Sequence, residues 1–229
     1  MARMPRLGVA GWPQLVVQRV LPGQQLVVDD EDATLLRTCM ATAAREAGVL
    51  IHAYVITPDH FHLLVAPSTT TGLSLMMQGV GRRYVAAFNK RHARQGGLWA
   101  GRYRATVVEP AHYLLDCMVF IEQHAVREGR IEAGRADPWS SAPHHLGMRN
   151  DPLITDHALF WALGNTPFER EAVWRDRLDE GLPLVRITRL AQAAHKGWAL
   201  GEATFLAAIE ATADRRVQPK RRGRPRKMI

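Results

Sequence analysis

Along the chain the apolar positions first alternate in short runs and then settle into helical spacing. Residues 13 to 28 read as one or two strands, QLVVQRV and then QLVV, around the turn dipeptide Pro22-Gly23. Asp29, Asp30 and Asp32 offer an N-cap and an acidic first turn to a helix running to about Gly48, with Leu35, Leu36, Cys39, Met40, Ala43 and Ala47 on its apolar face. A strand near residues 50 to 56 follows, then a Thr57-Pro58-Asp59 turn and a second strand carrying His60 and His62. Leu73 to about Arg94 predicts a second helix ending before Gly96-Gly97, Leu98 to Val108 another strand, and Pro110 to about Arg127 a third helix. The order β, α, β, β, α, β, α implies an α+β domain over residues 1–128, with helices on one face of an antiparallel sheet.

A turn-rich linker, residues 129–152, separates this domain from helical periodicity over residues 153–216. The candidate helices there are Asp156 to Leu163, Pro167 to Glu180, Leu184 to Lys196 and Gly201 to Arg215, with Phe205, Leu206 and Ile209 as expected core residues of a small helical subdomain. Residues 217–229 read as a disordered basic tail.

Charge sharpens the reading of that tail. The net charge is +8, and Lys220, Arg221, Arg222, Arg224, Arg226 and Lys227 contribute six of the positive charges, so the body without them is nearly balanced at +2. Such an arm follows phosphates, and Arg222-Gly223-Arg224-Pro225 matches the core of an AT-hook, which enters a narrow A·T minor groove. A solubilising tail or one that meets anionic membrane would have the same composition. No run of about 18 apolar residues suggests a membrane span and the first residues do not resemble a signal peptide, so a cytoplasmic, nucleoid-associated protein is expected. Cys39 and Cys117 read as reduced core thiols.

The candidate chemistry lies on the second strand and the third helix. His60 and His62, two positions apart, point to one face of a strand and make half of a metal site. Tyr113, Cys117, Phe120 and His124 fall on one face of the helix, so His124 can join the pair only together with whatever occupies position 120. Three imidazoles would leave open positions for phosphate oxygens. Arg82, Arg83, Lys90, Arg91, Arg94, Arg102 and Arg104 interleave with Tyr84, Phe88, Trp99 and Tyr103, a mixture of phosphate partners and stacking surfaces. Arg82, Arg83 and Arg102 are the preferred DNA contacts, while Phe88 and Trp99 are read as core.

These motifs resemble the REP-associated tyrosine transposases of the His-hydrophobic-His nuclease superfamily. The resemblance rests on YVITPDHFHLLV (Tyr54 to Val65), GRRYVAAFNKRHARQGGLWAGRYRA (Gly81 to Ala105) and YLLDCMVFIEQHAVREG (Tyr113 to Gly129), with WSSA at Trp139 to Ala142, Gly197 to Gly201, and the GRPRK ending. It implies a ferredoxin-like nuclease fold that binds single-stranded hairpin DNA, and cleavage and rejoining through a 5′-phosphotyrosine without a nucleotide cofactor. It implies a divalent ion, Mg²⁺ or Mn²⁺, on His60, His62 and His124, the last standing where the family usually has an asparagine or related amide. Gln18-Arg19 matches a family QR element, which brings Arg19 among the DNA contacts, although the residues that follow depart from the family pattern. The oligomeric state is left open, leaning to a monomer.

The chain departs from the family at the nucleophile: Phe120 stands at the tyrosine position and has no hydroxyl. Three readings remain open. Phe120 is a substitution that traps an uncleaved complex; or the chain is a naturally inactivated DNA-binding descendant, acting as a regulator; or Tyr113, roughly 10 Å away along the helix axis, serves instead.

Overall fold

The computed structural model describes residues 6–213 and 215–219. Strands β1 (Gln14–Arg19), β2 (Val49–Ile56), β3 (His60–Pro67) and β4 (Arg104–Val107), with helices α1 (Asp30–Ala47) and α2 (Gly72–Arg91), form a βαββαβ unit. The strands pair antiparallel in the order β2-β3-β1-β4, the ferredoxin-like arrangement expected of an α+β fold.

Both faces of this sheet are apolar. Val16, Tyr54, Ile56, Phe61, Leu63 and Val65 pack beneath α1 and α2 against Leu36, Met40, Met76 and Tyr84. The alternate set, Leu15, Val17, Ala53, Val55 and Leu64, packs against Leu114, Cys117 and Ile121 of α3 (Pro110–Glu122). Only α1 and α2 share one face as expected. Because successive strand residues are apolar, the opposite face also needs a cover, and later helices supply it.

Caps define α1. Asp29 Oδ1 accepts from the Asp32 N–H at 3.0 Å, and Gly48 ends the helix with φ +61°, in the left-handed region that glycine enters without strain. Residues 25 to 28 do not form a strand. Leu26 and Val27 are buried under α1 and α2, and Leu26 N–H donates to Pro58 O at 2.6 Å, so the segment is a loop pinned to the core. β4 is shorter than its apolar pattern suggested, since residues 98 to 103 make a loop, tied back by an isolated bridge between Val20 and Trp99 and by Gln18 Nε2 donating to Gly101 O. The third helix also stops early: α3 ends at Glu122, and a one-turn helix α4 (His124–Arg127) follows after Gln123.

The remaining elements are α5 (Ala142–His145), α6 (Ala158–Trp161), α7 (Pro167–Glu180), α8 (Leu184–Lys196) and α9 (Ala203–Thr212). Trp174 of α7 and Leu190 and Ala194 of α8 are buried in one cluster with α3, so this helical segment shares its core with the second face of the sheet. Phe205 and Ile209 of α9 pack with Leu7, Val9 and Val107.

Candidate metal centre

β3 directs His60 and His62 towards the α3 face, paired across β1 with Arg19 and Val17. The turn at Gln123 then brings His124 over them. The three ring centroids stand 4.9 to 5.1 Å apart, and one potential ligand atom from each histidine lies within 4.8 Å of the others.

Hydrogen bonds assign the protons. His60 Nδ1–H donates to Asp59 Oδ1 at 2.6 Å, with Thr57 Oγ1 2.8 Å away, leaving Nε2 as a lone pair. His124 Nδ1 accepts from Arg127 Nη2 at 3.3 Å, so Nε2–H of His124 donates to His60 Nε2 at 2.9 Å. Glu128 Oε1 lies 3.0 Å from the same His124 nitrogen, and His62 Nδ1 is buried without a hydrogen-bond partner. Burial lowers the pKa of all three rings. His62 falls well below the usual imidazole value, further depressed by His124 and His60, and His124 falls to about 4, with His60 again contributing. Neutral imidazoles are the form that ligates.

This donor set fits a divalent ion. An orphaned buried nitrogen, a carboxylate behind His60 that fixes its tautomer, and a 2.9 Å nitrogen spacing all agree. Two neighbouring ligands on an octahedral ion at about 2.1 Å stand about 3 Å apart. Asp59 and Glu128 mark the open side of the cluster, being 59% and 39% exposed.

Phe120 is buried beside the cluster, its ring 5.7 Å from His62 and 6.3 Å from His124. Arg127 lies over the Phe120 ring, Cζ 4.5 Å from its centroid, and its Nη2 donates to the Phe120 carbonyl. Arg127 Nη1 has no hydrogen-bond partner among the described residues, and burial pushes this guanidinium down to about 10. Tyr113 sits elsewhere. It is buried in the first turn of α3, with Arg186 and Arg189 over its ring at 4.9 and 5.0 Å, away from the imidazoles.

The arginines separate into tied and untied groups. Arg83 is paired with Glu46 at 2.6 Å, Arg91 with Asp29, Glu31 and Asp32, and Arg104 donates to His195 O at 2.5 Å. Arg19 reaches Asp59 at 3.5 Å, beside His60. Arg82 and Arg102 are exposed and have no ion-pair partner among the described residues. Tyr84 and Phe88 are core residues, whereas Trp99 is only partly buried. Lys220, Arg221, Arg222, Arg224 and Arg226 lie outside the described residues.

The sequence reading missed the groups that brace the histidines: Thr57, Asp59, Arg127 and Glu128, and above all Glu122. This buried carboxylate ends α3. It accepts from Ser141 Oγ and His145 Nδ1, each at 2.5 Å, and from Trp174 Nε1 at 2.8 Å. His145 and His144 in turn stand 3.4 Å from Asp156 Oδ1. His144 Nδ1 accepts from Asp151 N–H, and the carboxylates of Glu122 and Asp156 push His145 up to about 9, which keeps that ring a cation and not a ligand. The second cluster is therefore an ion-pair network. Ser141, His144 and His145 come from the turn-rich stretch and Trp174 from α7, and their spacing gives no hint of convergence.

Residues 20–124 match the family described as "Transposase IS200 like", a span that opens at the end of β1 and closes on His124. The matched span, a little under half of the chain, is similar to an IS200-like transposase domain. His60, His62, Phe120 and His124 all fall inside the matched span. Among solved structures, a REP-associated tyrosine transposase bound to a REP hairpin is similar in fold, with a TM-score of 0.56 and 16% identity over 69% of this chain and 96% of that one. A proposed transposase from Deinococcus radiodurans R1 matches with a TM-score of 0.37 and 21% identity, over 56% of this chain and 98% of that one. No curated protein matched the chain. Among the described residues, no helix is long and apolar enough to cross a membrane.

Proposed function

We propose that this chain binds single-stranded DNA carrying an imperfect hairpin and seats one phosphodiester at the His60, His62 and His124 centre. The observation that carries the reading is the position of Phe120, packed against His62 within a three-imidazole cluster inside the transposase match. His60, His62 and His124 would hold a divalent ion, whose chemistry there is to neutralise charge on a phosphate oxygen. All-imidazole ligation favours Mn²⁺ over Mg²⁺, which prefers oxygen donors. Asp59 and Thr57 orient His60, Arg127 braces the helix turn that carries His124, and Arg19 lies where a phosphate would approach.

In a strand-transfer enzyme of this kind the oxygen at position 120 attacks phosphorus, the 3′-oxygen leaves, and a 5′-phosphotyrosine stores the bond for rejoining. Phe120 has no such oxygen. The chain as it stands therefore holds the strand uncleaved and acts as a hairpin-binding protein on a transposase scaffold. Tyr113 does not replace it, since its ring is enclosed two turns away. The test is direct: incubate the chain and its Phe120→Tyr variant with labelled hairpin DNA and Mn²⁺, and resolve the products on a denaturing gel. A protein-DNA adduct with the variant alone is expected. Cleavage by the unaltered chain would overturn the assignment of position 120, and no DNA binding by either would overturn the function.

A further inference from the structure

The turn after α4 carries a carboxylate onto the histidine centre. His124 and Glu128 are one helical turn apart and share a face. Three backbone bonds close the turn: Glu128 N–H to His124 O at 3.1 Å, Gly129 N–H to Val126 O at 3.0 Å and Arg130 N–H to Ala125 O at 2.9 Å. Gly129 takes φ +68°, so the chain doubles back and sets Arg130 beside Glu128. Arg130 Nε donates to Glu128 Oε2 at 2.9 Å. That oxygen is held from outside the centre, and Oε1 is the one that meets His124 Nε2, 3.0 Å away.

Protons and acceptors do not balance at this point. His60 Nε2 and Glu128 Oε1 stand 2.9 and 3.0 Å from His124 Nε2, which has a single hydrogen to offer. A hydrogen aimed at one of them is bent away from the other, and bent hydrogen bonds weaken steeply. His60 already has its own N–H on Asp59, and burial disfavours a second proton on either ring. A cation in place of the shared proton removes the mismatch. Separations of 2.9 and 3.0 Å are those of neighbouring ligands about 2.1 Å from an octahedral ion.

We propose that Glu128 is a further protein ligand of the divalent ion, joining His60, His62 and His124, an inference that rests on the metal reading above. Its side chain is 39% exposed, so it can settle on the ion without disturbing the core, while Arg130 orients it as outer partners orient ligating carboxylates. Imidazoles alone leave the whole charge of the ion for a phosphate to meet. A carboxylate cancels part of that charge, so the protein holds the ion before any DNA arrives. The mixed set suits Mn²⁺, which accepts both donor types, and an octahedral ion on it still has positions open for a phosphate oxygen.

The test uses the full chain, treated with chelator and free of DNA. Mn²⁺ is titrated in with the unbound ion counted by electron paramagnetic resonance, and Co²⁺ serves as a coloured substitute whose visible absorption reports the ligand set. Glu128→Ala should weaken Mn²⁺ binding on the order of tenfold to a hundredfold and change the Co²⁺ spectrum at saturation. Glu128→Gln, which keeps the size and an oxygen but not the charge, should fall between Glu128→Ala and the unaltered chain. Unchanged Mn²⁺ affinity in both variants would overturn Glu128 as a ligand and leave the three-histidine centre standing. So would weaker binding by Glu128→Ala with an unchanged saturated Co²⁺ spectrum, which is what a purely bracing or electrostatic role predicts. No Mn²⁺ binding by the unaltered chain would sink the metal reading and this inference with it.

Discussion

Phe120 and tyrosine differ by one oxygen, which makes position 120 testable with little disturbance to packing. The ring is buried against His62 and Arg127, so Phe120→Ala should cost about 3–5 kcal/mol in denaturant unfolding, the usual loss for a buried phenyl group. Phe120→Tyr should shift stability far less while restoring the adduct. His145 gives a second prediction with a defined sign. Burial works to lower its pKa, but the Glu122 and Asp156 carboxylates outweigh that and push it up to about 9, above the ordinary 6.5. A histidine whose folded pKa is raised contributes stability that is fully present below about pH 6.5 and is lost as pH rises through about 9. The stability gap between the unaltered chain and His145→Gln should therefore be widest near pH 6 and narrow by pH 10, measured by urea unfolding across that range. A gap independent of pH would mean that His145 is not the charged partner of Glu122.

Elements with strong local punctuation were legible from the sequence, and those shaped by distant partners were not. α7 and α8 begin and end where their patterns placed them, because Thr166 and Glu169 form a reciprocal capping box and Gly197 supplies a left-handed stop. Gln25 to Val28 looked like a strand because apolar residues adjoin a turn. The segment is instead buried as a loop folded under α1, a long-range outcome that no local pattern encodes. The break at Gln123 was hidden for a similar reason, since the register of Tyr113, Cys117, Phe120 and His124 continues through it. His60, His62 and His124 could be grouped in advance because strand and helix spacing dictate shared faces, whereas Glu122 depends on Ser141 and His145 of one later segment and Trp174 of another. The cap of α1 gives an element-scale prediction. Gly48→Ala introduces a side chain at φ +61° with its Cβ 2.5 Å from Ser68 Oγ, so it should destabilise the fold by about 1 kcal/mol or more, read as a lowered denaturant midpoint at unchanged slope.

At the scale of the whole molecule, the βαββαβ unit and the later helices are joined through α3, which lies on the sheet's second face and carries both Phe120 and Glu122. The charge distribution is correspondingly divided, with a nearly balanced body and a basic tail. Removing Lys220 to Ile229 should weaken DNA binding most at low salt and flatten the slope of log affinity against log salt by about 0.7–0.9 for every phosphate the tail had neutralised. An unchanged slope would mean that the tail does not meet phosphates. The elbow at Gln123 has a further consequence. His60 and His124 are 64 positions apart, one on a rigid strand and the other on the last turn beyond a helix break. A cation shared between them would act as a clasp that closes only on the assembled fold, so Mn²⁺ should raise the melting temperature and slow amide exchange at the elbow in the Phe120 chain, with no DNA present and no bond broken.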